Sequence, residues 1–278
     1  MELIEPEVEL LSELGITPES HIARCARVCY GHEHKEPNQA ADKKLVEGLI
    51  NRGHLSMLRH ASMYLSHTED IFQIATHIAN SCYWNYDVLG YASTNLQEFM
   101  QSGVGKETVT VIDNKQFLED CAKHPRLFEL YRLTFCITTQ ISTSRELNRV
   151  SPNNIAERST RFCSAKGGLA ICRPWWIKSP IEDAVSALSY YNLACEAEKT
   201  YITLLLRGMK PEDARGVLPL DTATKVIYTY SVQEWQHILD LRLYDKTGKA
   251  HPNCHVVMQM VKDKINSFAK EHNIDYQV

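Results

Sequence analysis

The sequence predicts an α+β fold, rich in helices, in which a mixed or antiparallel sheet packs against them. Two segments rich in β-branched and aromatic residues, 60–67 and 133–140, are typical of strands. Most other segments carry the start and stop signals of helices. Hydrophobic residues make up 44% of the 278 residues, so we expect a substantial core organised as one domain over residues 1–278.

The first half of the chain predicts two helices, at 18–30 and at 40–52, the second ended by Gly53. An insert of about residues 68–130 then separates the two predicted strands. Its segments predict helices at 71–86, 95–102 and 115–131, the last interrupted at Pro125, and a short strand within 104–113.

The second half carries clearer helix signals. A long helix is predicted over 179–208, with Ser179 as its cap, Pro180 at its first position and Glu182 completing a capping box. A short helix follows within 211–219. Ser231 and Glu234 form a second capping box, and the last helix covers roughly 253–270.

Composition excludes several classes of protein. The net charge of −4 argues against a general nucleic-acid binder. The nine cysteines form no C-x-x-C pair and predict free thiols in a reducing compartment. The acidic N-terminus does not resemble a signal peptide, and no apolar run has the length of a membrane span. We therefore expect a cytoplasmic protein with no membrane or nucleic-acid partner.

The segment SRELNRVSPNNIAERSTRF, residues 144–162, concentrates polar chemistry. Arginine guanidinium groups together with hydroxyls are well suited to hold a phosphate monoester. In an extended or turning chain Ser159 and Arg161 lie on one side, and Pro152 favours such a loop. A solvated helix or turn is the alternative, and the spacing by itself does not decide between them.

Two further arginines, Arg215 and Arg242, stand beside apolar residues. An arginine on an apolar face either forms an ion pair or faces an anionic ligand. Asp213 and Asp240 are the candidate partners for an ion pair.

The sequence contains no H-E-x-x-H motif. His32 and His34 could bind a metal, but no third ligand stands nearby and a solvated loop is the favoured interpretation, so we expect no metal site.

The chain resembles the flavin-dependent thymidylate synthases, the ThyX family, whose motif is R-H-R-x-x-S and, four residues on, S-x-R. Residues Arg149 to Arg161 keep this spacing without a gap. Three further segments resemble family motifs in the same order: RGHLSMLRHASMYL at 52–65, PEDARGVLPL at 211–220, and VQEWQHILDLRL with AHP at 232–243 and 250–252.

The resemblance implies a single ThyX-like domain in a homotetramer, with active sites where subunits meet. It also implies the reductive methylation of dUMP to dTMP. In that reaction methylenetetrahydrofolate, the folate co-substrate, provides the carbon, and FAD reduced by NADPH provides the hydride. The enzyme binds and aligns these molecules and needs no protein nucleophile.

Transferred by position, the resemblance also implies the site residues. Ser159, Arg161 and Arg215 would hold the nucleotide phosphate. The other substrate-binding residues would be Glu146, Glu157, Arg158, Thr160 and Arg242, with Arg242 reaching the uracil ring. The cofactor-binding residues would be His54, Ser56, Arg149 and His237. The catalytic roles would fall to Arg242, Glu157 and Arg149.

The chain departs from the family pattern on the flavin side. The R-H-R motif is replaced by Arg149, Val150 and Ser151, and a family glutamate is replaced by Arg59. Either FAD binds through other contacts, with Arg59 near its phosphates and some contacts from the insert, or cofactor use has changed. Two alternative functions follow: transfer of a one-carbon or hydroxymethyl group without the usual flavin chemistry, and a catalytically silent nucleotide-binding homologue.

Overall fold

The structure is a computed structural model, and it describes residues 1–12, 14–32, 38–67, 81–87, 89–104, 109–150, 152–161, 167–178 and 181–278. The strands are β1 (Glu2–Ile4), β2 (Glu7–Leu10), β3 (Ser62–His67), β4 (Asn85–Tyr86), β5 (Tyr91–Asn95), β6 (Val109–Ile112), β7 (Arg132–Gln140), β8 (Ile155–Glu157), β9 (Ala170–Cys172) and β10 (Ala223–Ser231).

The α-helices are α1 (Pro18–Cys29), α2 (Gln39–Asn51), α3 (Leu96–Gln101), α4 (Asn114–Lys123), α5 (Ile141–Leu147), α6 (Ala184–Leu206), α7 (Pro211–Ala214), α8 (Val232–Arg242) and α9 (Pro252–Glu271). Short 3₁₀ segments cover Leu55–His60, Pro125–Leu130 and Arg215–Val217. The predicted α+β class is confirmed.

The central sheet has the strand order β2-β7-β10-β8, and all of its pairs are antiparallel. Both of its faces are covered. Phe135 and Ile137 belong to the core shared with α8 and α9, whereas Cys136 packs with Cys25 and Val28 of α1. Successive residues of β7 thus enter opposite cores, as the period of two in a strand requires.

The insert builds a second antiparallel sheet around the first predicted strand, with the order β4-β5-β3-β6. Tyr64 of β3 joins this sheet to the centre. Its ring stacks on Phe117 of α4 at 4.4 Å and on Tyr131 at 5.5 Å, and its hydroxyl accepts a hydrogen bond from Arg132 N at 2.8 Å. A third, two-stranded sheet pairs β1 with β9 in parallel.

Two helix predictions are wrong in part. The helix predicted over 71–86 does not include Asn85 and Tyr86, which pair with β5 as strand β4; residues 71–80 lie outside the described residues. Pairing across the sheet overrides the helical pattern there. The long C-terminal helix begins at Ala184, where the Asp183 side chain caps it by accepting from Ser186 N at 3.0 Å; the predicted cap Ser179 and the first position Pro180 lie outside the described residues.

The other helix signals are confirmed. Gly53 follows α2 with φ +70°, a left-handed conformation that glycine adopts readily. The capping box of Ser231 and Glu234 opens α8 with both of its hydrogen bonds, 3.1 Å and 2.7 Å. Among the described residues the cysteines are free thiols, and no helix is long and apolar enough to cross a membrane.

Replacing Ser231 by alanine tests the capping box. The variant loses the hydroxyl that accepts from Glu234 N at a buried helix start, so we expect the free energy of unfolding to fall by about 1–2 kcal/mol. Urea denaturation measures this. As a control, Ser189→Ala removes an exposed hydroxyl inside α6 and should change stability by less than about 0.5 kcal/mol. Equal losses in the two variants would contradict the capping role.

Candidate active site

The candidate site is built on a turn that follows β8 at one edge of the central sheet. Two backbone hydrogen bonds of 2.9 Å fix this turn: Arg158 N donates to Lys225 O of β10, and Ser159 N donates to Cys29 O at the end of α1. Within the turn, Arg161 N donates to Ser159 Oγ at 3.2 Å. The serine hydroxyl thus shapes the turn that presents the arginine.

The turn meets the 3₁₀ segment that carries the second predicted phosphate ligand. Arg215 Nη1 donates to Thr160 Oγ1 at 2.9 Å, and Arg215 Nε donates to Glu212 O at 3.1 Å. Arg161 forms a charged pair with Glu212, whose Oε2 lies 2.8 Å from Nη2 and 3.0 Å from Nε. Thr160 and Arg215 are 55 residues apart in sequence, yet the hydroxyl and the guanidinium groups of Arg161 and Arg215 all lie in one cluster at an exposed surface.

Glu212 sets the electrostatics of this cluster. The Arg161 guanidinium lowers the pKa of the Glu212 carboxyl by hydrogen bonding and by its charge, so the carboxylate stays ionised at neutral pH. A phosphate oxygen approaching Arg161 would compete with this carboxylate. The cluster can hold a phosphate dianion between its two arginines, with Glu212 as an internal counter-ion when no ligand is bound.

The Glu157 carboxylate is anchored by three donors of the same chain. Oε1 accepts from Ser144 Oγ at 2.8 Å and from Thr224 Oγ1 at 3.2 Å, and Oε2 accepts from Asn148 Nδ2 at 3.2 Å. The buried Tyr228 hydroxyl in turn donates to Asn148 Oδ1 at 2.7 Å. This network holds Glu157 in one orientation beside the turn.

Arg242, at the end of α8, and Glu146 of α5 both act on one buried thiol. Both lie beside the buried Cys254, and burial together with Glu146 raises the pKa of that thiol well above its usual range. Arg242 Nε is buried with no hydrogen-bond partner in the described part of the chain. The alternative of an ion pair with Asp240 is wrong, because Asp240 pairs with Lys246 at 2.7 Å.

Comparison with known proteins bears on what this arrangement serves. The family model described as "Thymidylate synthase complementing protein", Thy1, matches residues 64–269. The chain belongs to the Thy1 family. The match spans the insert strands, the turn after β8 and the C-terminal helices, so every arginine of the predicted nucleotide site lies inside it.

Individual relatives share little sequence identity with this Thy1 chain. The protein named "Flavin-dependent thymidylate synthase" of Synechocystis sp. is 28% identical over 148 residues, which are 49% of this chain and 69% of that protein. Two crystal structures of the UMP/dUMP methylase PolB from Streptomyces cacaoi are similar. The one with 5-Br dUMP has a TM-score of 0.46 and 17% identity, covering 97% of this chain and 93% of that one.

The PolB structure with 5-Br UMP has a TM-score of 0.49 and 16% identity, covering 99% of this chain and 95% of that one. Both scores are too low for the likeness to bear on the substrate of this Thy1 protein. The assignment to the family depends on the family match.

The residues expected to contact a flavin in this Thy1 chain are all exposed. His54 and Ser56 lie at the start of the 3₁₀ segment before β3, and Arg149 follows α5. His237 lines a cavity of about 180 Å³ together with Pro152 and others. Of the four, only His237 lines this cavity.

Arg59 and Val150, two residues at which the sequence differs from the expected family pattern, both contact other parts of the same chain. Arg59 Nε donates to Gln97 Oε1 at 2.9 Å, Nη1 donates to Asn153 O at 3.1 Å, and its guanidinium lies 4.9 Å from the Tyr83 ring centroid. Val150 is 4% exposed and packs in the main core. Arg59 thus fastens the insert to the loop after Val150.

Sequence reasoning missed the residues that hold the predicted ones. Ser144, Asn148 and Thr224 orient Glu157, and Glu212 neutralises Arg161. Only Glu212 carries a local signal, since it stands three residues before Arg215 in the same short turn. The three residues that bind Glu157 lie in α5, directly after α5 and in β10. Their spacing along the sequence does not reveal that they meet.

We predict that Arg161→Ala and Arg215→Ala each weaken dUMP binding by about 1.5–3 kcal/mol, because each removes a charged hydrogen-bond donor. Isothermal titration calorimetry with the full-length chain measures the change. Arg207→Ala, which removes an exposed arginine at the end of α6, is the matched control and should leave the affinity unchanged.

In the same experiment we expect Glu212→Gln to strengthen dUMP binding, whereas the two arginine variants weaken it. It removes the carboxylate that competes for Arg161 and leaves both arginines in place, so dUMP should bind more tightly. If neither arginine variant alters dUMP affinity, the turn does not bind the phosphate.

Proposed function

We propose that this Thy1-family protein transfers a one-carbon unit from a folate to carbon 5 of dUMP. The observation that carries the proposal is the meeting of Arg161, Thr160 and Arg215 at one turn, beside the anchored carboxylate of Glu157. Family membership supports the reaction class. The geometry supports a ligand with a phosphate at one end and polar groups along its length.

Each part of dUMP has residues of suitable chemistry. The phosphate would lie against Arg161 and Arg215 with the Ser159 and Thr160 hydroxyls, and Glu157 and Arg158 would lie along the nucleotide. Arg242 would face the uracil, with Glu146 and Arg149 at the ring edge. The Arg242 Nε has no partner in the described residues, and its positive charge would stabilise negative charge that develops on the ring carbonyls.

The reductive version of this reaction yields dTMP and uses FAD, NADPH and methylenetetrahydrofolate, as membership of the family implies. A flavin needs polar groups around its ring and phosphates. Here Val150 is packed in the core and Arg59 is bonded to Gln97 and Asn153. These residues do not fit a flavin, and we assign no step to it.

Because Val150 and Arg59 are already engaged by other residues of the chain where a flavin is expected, a second candidate is favoured. In this candidate the one-carbon unit is transferred without reduction. The methylene carbon of methylenetetrahydrofolate is at the oxidation level of formaldehyde. Its bond to carbon 5 of dUMP replaces the C5–H bond, water supplies the hydroxyl oxygen, and tetrahydrofolate leaves. The product is 5-hydroxymethyl-dUMP, and no hydride donor is consumed. The same nucleotide residues serve both versions.

Tritium release from dUMP labelled at carbon 5 tests the proposal, since both versions replace that hydrogen. We expect methylenetetrahydrofolate to trigger release without flavin absorbance in the purified protein, and mass spectrometry to show the hydroxymethyl product without NADPH. Arg161→Ala should lower the rate at subsaturating dUMP, whereas Arg207→Ala should not.

A yellow protein that forms dTMP only with NADPH would instead support the reductive version. Release of no tritium under either condition, with dUMP binding intact, would overturn both and identify a silent nucleotide-binding homologue.

The homotetramer with active sites between subunits is part of the same proposal. Helix α6 spans 23 residues but buries only Ala187, Ala194 and Tyr201. It exposes large apolar side chains, Val185 (78%), Leu188 (61%), Leu193 (69%) and Leu206 (83%). Such a face is unusual for a soluble monomer and supports contact with further copies of the chain.

The double variant Val185→Glu, Leu188→Glu tests this contact. Charges on two neighbouring turns of an apolar interface should destabilise the assembly, so the mass from light scattering coupled to size exclusion should fall. Lys199→Glu, on a polar part of the same helix, is the charge control. An unchanged mass in the double variant would remove α6 from the interface.

A further inference from the structure

A large cavity in the described part of the chain lies away from the candidate active site. It has a volume of about 680 Å³ and opens where the N-termini of α1 and α4 meet the start of β7. The phosphate turn contacts the other end of α1, at Cys29. A 12-residue helix is about 18 Å long, so the two places are separated by roughly that distance.

Two fully buried polar side chains form the floor of this cavity. His60 is 0% exposed and Arg132 is 2% exposed, and both line it. His60 Nε2 and Arg132 Nε have no hydrogen-bond partner among the described residues. A buried polar atom without a partner costs about 1–3 kcal/mol, so a ligand that hydrogen-bonds to these two nitrogens would be favoured.

Hydrogen bonds fix which atoms of the floor remain available. His60 Nδ1 lies 2.8 Å from Thr229 Oγ1, which lies 2.9 Å from Thr134 Oγ1, and that oxygen lies 3.1 Å from His21 Nε2. Arg132 Nη2 donates to Thr229 O at 3.3 Å. Thr229 does not line the cavity. The bonds to Thr229 therefore use the sides of the His60 ring and of the Arg132 guanidinium that face the sheet.

Arg132 also forms an ion pair inside the protein, because Nη1 lies 3.3 Å from Glu234 Oε2. This contact holds the guanidinium in place and neutralises part of its charge. Burial and the nearby cations lower the pKa of His60 to about 3, so the ring is neutral at physiological pH. The floor therefore offers a neutral imidazole and one guanidinium N–H, which suits the polar edge of a planar heterocycle.

The mouth of the cavity has a different character. Thr17 and Asp113 cap α1 and α4, and Lys115 is exposed beside them. Helix N-termini and a lysine favour an anion, although the Asp113 carboxylate opposes part of this effect. Leu14, Ile16, Met63 and Tyr131 provide apolar walls between mouth and floor.

We propose that this cavity is a second ligand site, which binds a nucleoside monophosphate with its base at His60 and Arg132 and its phosphate at the mouth near Lys115. The volume lies within the roughly 300–1,000 Å³ of small-molecule sites. The site is separate from the turn that carries Arg161, so it does not depend on the proposed reaction.

Calorimetric titration of the full-length protein with dTMP and with AMP tests the site. We expect at least one of the two nucleotides to bind to Arg161→Ala, in which the first site is impaired. Lys115→Glu and Ile16→Trp should each weaken this remaining binding at least tenfold, by repulsion and by filling the cavity. Both positions lie outside the buried core, so the variants should fold. Lys123→Glu, at the far end of α4, is the charge control.

Inorganic phosphate is titrated as a further probe. It should bind at least tenfold more weakly than the nucleotide, because it cannot reach the floor. Binding of neither nucleotide to Arg161→Ala, or binding that Lys115→Glu and Ile16→Trp leave unchanged, would overturn the proposal. These outcomes leave the proposed reaction untouched, since that is tested separately, by tritium release from dUMP and by the dUMP affinity of the Arg161 and Arg215 variants.

Discussion

The antiparallel pairing of β7 with β10 holds both candidate sites in place. Nine residue pairs, from Ala223 with Gln140 to Ser231 with Arg132, form this ladder between two cores. Backbone N–H and C=O groups buried this deeply must be paired, so the register cannot slip without exposing or orphaning many of them. One end of the ladder positions Thr224 beside Glu157, and the other positions Thr229 beside His60.

The two arginines Arg161 and Arg242 of the candidate active site differ in whether the described part of the chain provides them with a partner. Arg161 is exposed and already has a carboxylate partner, Glu212, so a phosphate would exchange one anion for another at a hydrated surface. Arg242 is partly buried, and its Nε lacks a partner in the described chain. The first arrangement suits reversible binding of a phosphate, and the second suits stabilisation of charge that appears only during reaction.

The insert of this Thy1 chain is joined to the rest of the fold by specific side-chain contacts. Its strands extend β3 into a separate sheet, and Gln97 and Tyr83 contact Arg59. Asn85 donates to Glu234 at 3.3 Å, and Glu234 also caps α8 and pairs with Arg132. The insert is therefore bonded directly to the helix that carries His237 and Arg242.

The sequence by itself determined the features that depend on neighbouring residues: the α+β class, the ends of most helices and the capping box at Ser231. It also provided the arginine-rich segment from which a phosphate site is predicted. Tertiary structure decided the rest. Strand β4 forms because β5 offers it a partner, and Asp183 caps the start of α6. The contacts of Arg161 with Glu212, of Arg215 with Thr160, and of Arg59 with Gln97 join segments distant in sequence. Spacing along a chain cannot encode such contacts, because their distances are set by how sheets and helices pack.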